Sequence, residues 1–119
     1  MMMKKQNILI MTFLSILLFG VFLSFLGCEK IDVPEGTPKC IQDKIKKEKD
    51  KCLDKVYKYD YTGKKVYYFN STCPDVLHCV YDENCNSICC PDGGINGTGD
   101  GKCLEFFQKA TNQKLIWQK

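Results

Sequence analysis

The sequence predicts an α+β domain. One N-terminal amphipathic helix packs on a small antiparallel sheet of hairpins, and disulfides staple the whole. Three observations predict it. Residues 37–56, TPKCIQDKIKKEKDKCLDKV, carry apolar side chains at helical spacing. Two later stretches alternate apolar and polar residues around turn residues. Eight cysteines follow an apolar leader in a chain of only 119 residues, the cysteine usage of a small domain in an oxidising compartment.

The leader comes first. MMMKKQNILIMTFLSILLFGVFLSFLGC begins with a short basic stretch and continues as an apolar run from Ile8 to Leu26. That run is longer than the usual secretory core and long enough to span a bilayer. An uncleaved anchor therefore competes with a cleaved leader. FLGC decides between them. A small residue followed at once by cysteine, at the exit of the apolar run, is the pattern of a bacterial lipobox, with Phe25 where leucine is usual. Residues 1–27 then form a lipoprotein signal peptide, and Cys28 carries the acyl chains, palmitate among them. Two or more chains meet the requirement for stable anchoring. The domain is expected outside the cytoplasm, anchored to a bacterial membrane on its periplasmic or cell-surface side.

Residues 28–37 follow as a tether, polar and interrupted by proline and glycine. The folded domain is expected over 38–119. Its helix has Thr37 as candidate N-cap and Pro38 at the first helical position. Cys40, Ile41, Ile45, Cys52, Leu53 and Val56 share one face and the lysines take the other. KVYKYDYTGKKVYYFN predicts a hairpin about Thr62-Gly63. Tyr57, Tyr59 and Tyr61 alternate with polar residues, a stripe that reads as cross-strand packing. VLHCVYDENCNSICC predicts a second hairpin, turning over Asp82 to Asn86. LEFFQKATNQ reads as a short amphipathic helix, and KLIWQ as a last strand that sets Trp117 against the core.

The chain after Cys28 is too short to be held by its core alone, and its cysteines are the expected reinforcement. With Cys28 given to lipid, an even set remains: Cys40, Cys52, Cys73, Cys79, Cys85, Cys89, Cys90 and Cys103. Zinc wants C-x-x-C pairs; none occurs, and His78 is the one histidine. Cys40 and Cys52 lie more than three helical turns apart and cannot pair along a straight helix. The neighbours Cys89 and Cys90 are too close to bridge each other comfortably. A bridge from one of them to Cys103 closes the glycine-rich loop and stabilises by about 3 kcal/mol in the chain-entropy view.

That loop is CCPDGGINGTGDGKC, residues 89–103. Asp92, Asn96, Thr98 and Asp100 offer oxygens at near-alternate spacing, which hard cations favour. The EF-hand pattern fails, however, because Phe107 stands where its closing glutamate belongs. A phosphate cradle fails on glycine spacing. The reading adopted is a stapled surface loop whose aspartates bond its own amides. Asp92, Ile95, Asn96, Thr98 and Asp100 are its candidate binding residues.

No catalytic constellation appears. His78 would need a nucleophile and an orienting partner, and only Ser71 and Ser87 follow Cys28. No cofactor and no metal is expected. Fifteen lysines against fourteen acids follow Cys28, without a single arginine. That balance gives no footprint for nucleic acid and no bidentate anion recognition.

YDYTGKKVYYF, VYDENCNSIC, PDGGINGTGDGKC and KLIWQK together resemble a family of small uncharacterised Bacteroidota lipoproteins. The string P-D-G-G-x-x-G-x-G-D-G-x-C is the most specific part. The resemblance covers Cys40 to Trp117. It implies an envelope lipoprotein domain of α+β type and transfers no active site. Its pattern suggests no partners for Cys52, Cys79 and Cys90. The function expected is a lipid-anchored binding or structural module of the cell envelope, contacting another protein or a glycan and without catalytic activity. The alternative is an inhibitor or accessory subunit that presents the stapled loop to an extracytoplasmic enzyme.

Overall fold

The structure, a computed structural model, describes residues 29–119. The leader and Cys28 lie outside the described residues. Elements follow in the order α1 (Lys39–Glu48), β1 (Leu53–Tyr61), β2 (Lys64–Ser71), β3 (Leu77–Tyr81), β4 (Ser87–Gly93), α2 (Phe106–Lys109) and β5 (Thr111–Gln118). The strands form one sheet in the order β4-β3-β2-β1-β5, antiparallel throughout.

This corrects the α+β expectation. The domain is a five-stranded antiparallel sheet with one helix of ten residues and one helical turn of four. The expected helix stops at Glu48, and Leu53 and Val56 belong to β1. The physical reason is a bulge. The pairing of β1 with β2 shifts register between Leu53 and Lys55. An extra residue there puts Leu53 and Val56 on one face although they lie three apart, and a spacing of three imitates a helix. Helix capping differs as well. Pro38 is the N-cap, and the Thr37 hydroxyl donates instead to the Pro34 carbonyl at 2.7 Å. The second expected helix shrinks to α2 because Thr111, Asn112 and Gln113 belong to β5, where Thr111 pairs with Asp60 of β1 and Asn112 and Gln113 fall at a register shift.

The two hairpins form where turn chemistry places them. Thr62 and Gly63 both take positive φ, 51° and 77°, the backbone of the twist-matched two-residue turn. In the second turn the Asp82 carboxylate accepts from the backbone amides of Asn84 and Asn86, both at 2.9 Å.

β2 is buried on both sides, from Val66 to Phe69. The sheet is therefore covered on two faces. On one, Ile41 and Ile45 of α1 meet Leu53, Val56, Tyr67, Phe69 and Ile116, with Ile31, Val33 and Trp117 packed against them. On the other, Phe106 and Cys103 meet Tyr59, Val66, Tyr68, Val80 and Cys89. Tyr59 and Tyr61 hold their rings 5.2 and 5.0 Å from that of Phe106, so the tyrosine stripe is packing.

Four disulfides tie these layers together. Cys40–Cys85 joins α1 to the β3–β4 turn, and Cys52–Cys73 links the entry of β1 to the exit of β2. Cys79–Cys90 crosses from β3 to β4. Of the two closures left open for the glycine loop, the structure forms Cys89–Cys103.

Candidate functional site

The candidate loop leaves the end of β4 and returns at Cys103. Its backbone bonds give it order. The amide of Gly94 donates to the Val76 carbonyl at 3.0 Å, that of Gly99 to Gly93 at 3.1 Å, and that of Asp100 to Cys90 at 2.9 Å. A tight turn, closed by the Gly97 amide on the Gly94 carbonyl at 3.2 Å, places Ile95 and Asn96 at its centre. Two glycines are sterically required. Gly93 (φ 78°) and Gly99 (φ 72°) sit in the left-handed region. A Cβ on Gly93 would come within 2.8 Å of the His78 nitrogen, and one on Gly99 within 2.7 Å of the Pro91 carbonyl carbon.

The five sequence-predicted loop residues separate into different tasks. Asp100 braces the loop from within: its carboxylate accepts from the amides of Cys90 at 3.1 Å and Lys102 at 3.0 Å. Thr98 makes an isolated parallel bridge with Gly93. Ile95 is 85% exposed, and Asn96 is exposed beside it. Asp92 does not bond the loop's amides as expected. It lies on β4, in register with His78 on β3, and its carboxylate accepts the Tyr68 hydroxyl at 2.8 and 2.9 Å.

That contact belongs to a cluster which residue-by-residue reading did not assemble. The Nδ1 of His78 lies 3.3 Å from the Asp92 carboxylate and 3.3 Å from the Tyr68 hydroxyl. Burial, reinforced by the neighbouring Asp92, pushes the Tyr68 phenol far above its ordinary value. Tyr68 therefore stays a proton donor at any physiological pH. Phe107 stacks edge-on against its ring at 5.3 Å while remaining about half exposed. The sequence signal for the cluster was the facing of His78 and Asp92 across one hairpin. Reading it required the register shift between His78 and Val80.

As chemistry, the cluster fixes orientation. A phenol and an imidazole converge on one carboxylate, and neither Ser71 nor Ser87 is among the bonded partners shown for this cluster. Ser71 bonds the Cys52 carbonyl, and Ser87 lies across from Tyr81. Among the described residues, no group of three or more histidines, cysteines or carboxylates is placed to hold a metal. Asp92 and Asp100, the carboxylates of the calcium alternative, are both engaged in bonds within the fold.

Residues 42–119 match a family described as Domain of unknown function (DUF6970). The chain belongs to this family. The DUF6970 match spans all five strands, the Tyr68–His78–Asp92 cluster and the whole glycine loop; of the bridging cysteines it leaves out Cys40 alone. No curated protein and no solved structure matches the chain.

Proposed function

We propose that this DUF6970 protein is a lipid-anchored binding module of the bacterial cell envelope. It engages another protein or a glycan through the stapled loop and catalyses no reaction. The observation that carries the reading is Ile95. A large aliphatic side chain stands 85% exposed at the centre of a turn braced by Cys89–Cys103, by Asp100 and by backbone bonds on both sides. Such a loop loses little freedom on binding, so more of its contact energy remains as affinity. Exposed Leu104 and Phe107 on the returning segment enlarge the apolar surface available to a partner. Four disulfides agree with an oxidising, extracytoplasmic location. Acylation at Cys28, removal of residues 1–27 and kinship with Bacteroidota lipoproteins complete the reading.

Two measurements test it. The intact mass of the protein from its own membranes should begin at an acylated Cys28 and rise by about 8 Da on reduction, the signature of four disulfides. A full-length, unacylated chain sinks the anchor. A photo-crosslinker at position 95 should give one discrete adduct in solubilised envelopes, while the same probe at Lys64 gives none. No adduct from position 95 sinks the binding loop. Should the adduct be a hydrolase silenced by the domain, the inhibitor reading takes its place.

A further inference from the structure

The segment that leads out of the domain toward Cys28 is strapped down. Ile31 and Val33 pack against the cluster under α1. Thr37 then closes a turn on the Pro34 carbonyl with its amide at 3.2 Å and its hydroxyl at 2.7 Å. The Gln42 side chain of α1 donates to the Thr37 carbonyl at 2.8 Å. Only Glu29 and Lys30 stand between Cys28 and the first packed residue. Three Cα steps reach at most about 11 Å.

The same face of the sheet carries the lysine-rich α1 and the turn after it. Residues 39–51 hold six lysines against three acids, whereas the whole chain after Cys28 exceeds neutrality by one. Lys39 and Lys44 are paired with Asp43 and Glu48 along the helix. Lys46 and Lys47 fill its last turn, and Lys47 and Lys51 are exposed.

We propose that the α1 face is a membrane-lying surface whose partner is the anionic headgroup layer, with the Ile31–Val33 strap holding it there. This rests on the proposed acylation of Cys28. A leash of two residues leaves the domain no room to stand off the bilayer. The lysines of α1 then turn toward negative lipid, where juxtamembrane basic residues are attracted within a Debye length. The opposite face of the sheet, covered by Cys103 and Phe106, is then turned away from the bilayer.

The test uses the full acylated protein in vesicles of phosphatidylcholine and phosphatidylglycerol that carry a dansyl headgroup lipid. Trp117 is the chain's single tryptophan and packs against the α1-face cluster, so energy transfer to dansyl reports the distance of that face. One variant carries ten Gly/Ser residues between Lys30 and Ile31, and a second adds K46E and K47E to it. Ten such residues add a reach of about 18 Å, so transfer in the second variant should fall at least about twofold below the unaltered protein. The first variant should keep transfer in anionic vesicles and lose it in pure phosphatidylcholine. Equal transfer across the set, or low transfer from a protein that floats with the vesicles, overturns the docked surface alone. A protein that does not float overturns the anchor and the docked surface together.

Discussion

The two faces of the sheet are covered by unlike means. On one, a regular helix lays Ile41 and Ile45 on five buried strand residues. On the other, an irregular segment contributes Cys103 and Phe106 as its buried side chains. Glycines have no side chain to bury. The loop therefore owes its order to backbone bonds, to the Asp100 carboxylate and to covalent closure, whereas the helix owes its order to burial. The first kind of cover resists heat and denaturant through apolar area. The second leaves surface free for recognition and rests on one ring and one bridge.

The comparison is broken most severely at Phe106. Truncation to alanine should cost about 4 kcal/mol, because the ring is fully buried among four aromatic partners. Denaturant unfolding measures this. A loss under about 1 kcal/mol would show that the loop face has no core of its own. Next comes the bridge. Replacing Cys89 and Cys103 together by alanine should cost about 3 kcal/mol. Hydrogen exchange should speed at Gly97, Gly99 and Asp100, whose amides bond within the loop, and stay slow in α1. Exchange rising equally in α1 would mean that the two covers are not separable.

Smaller effects come from protons. The Tyr68 phenol is held protonated by burial beside Asp92. Its raised folded pKa gives stability that is complete below the ordinary phenol value near 10 and lost as pH rises above it. Tyr68→Phe should flatten that alkaline limb; an unchanged limb assigns it to other tyrosines. The weakest effect is expected at Asp82, where the Asn86 amide foremost, with Asn84, holds the carboxyl below its usual range. A lowered folded pKa gives stability present above about pH 4 and lost as pH falls through the folded value. Thermal scans from neutral to acid pH should show a shallower decline in Asp82→Asn than in the unaltered protein.

Much of this was legible in residues whose local chemistry dominates. Thr62-Gly63 and Asp82 announce their turns, and the alternating tyrosines announce their strand. Two things hid. Leu53 and Val56 looked helical because a bulge changes the side-chain period from two to three, and only the partner strand reveals a bulge. Tyr68, His78 and Asp92 looked unrelated because their meeting depends on the pairing of three strands. Asp92 was singled out for its place in a glycine-rich string, yet its partners come from elsewhere.

The bridge pattern also carries a consequence for manufacture. A chain crossing a membrane from its N-terminus exposes its thiols in order: Cys40, Cys52, Cys73, Cys79, Cys85, Cys89, Cys90, Cys103. An oxidant that joins thiols as they emerge starts with Cys40 and Cys52, yet Cys40 belongs to Cys85 and Cys52 to Cys73. Cys79 must likewise pass over Cys85 and Cys89 to reach Cys90. Pairing in order of arrival gives none of the four finished bridges, so under such an oxidant maturation would require exchange that undoes early links. On the proposed extracytoplasmic reading, correct pairing would then call for disulfide isomerisation as well as oxidation.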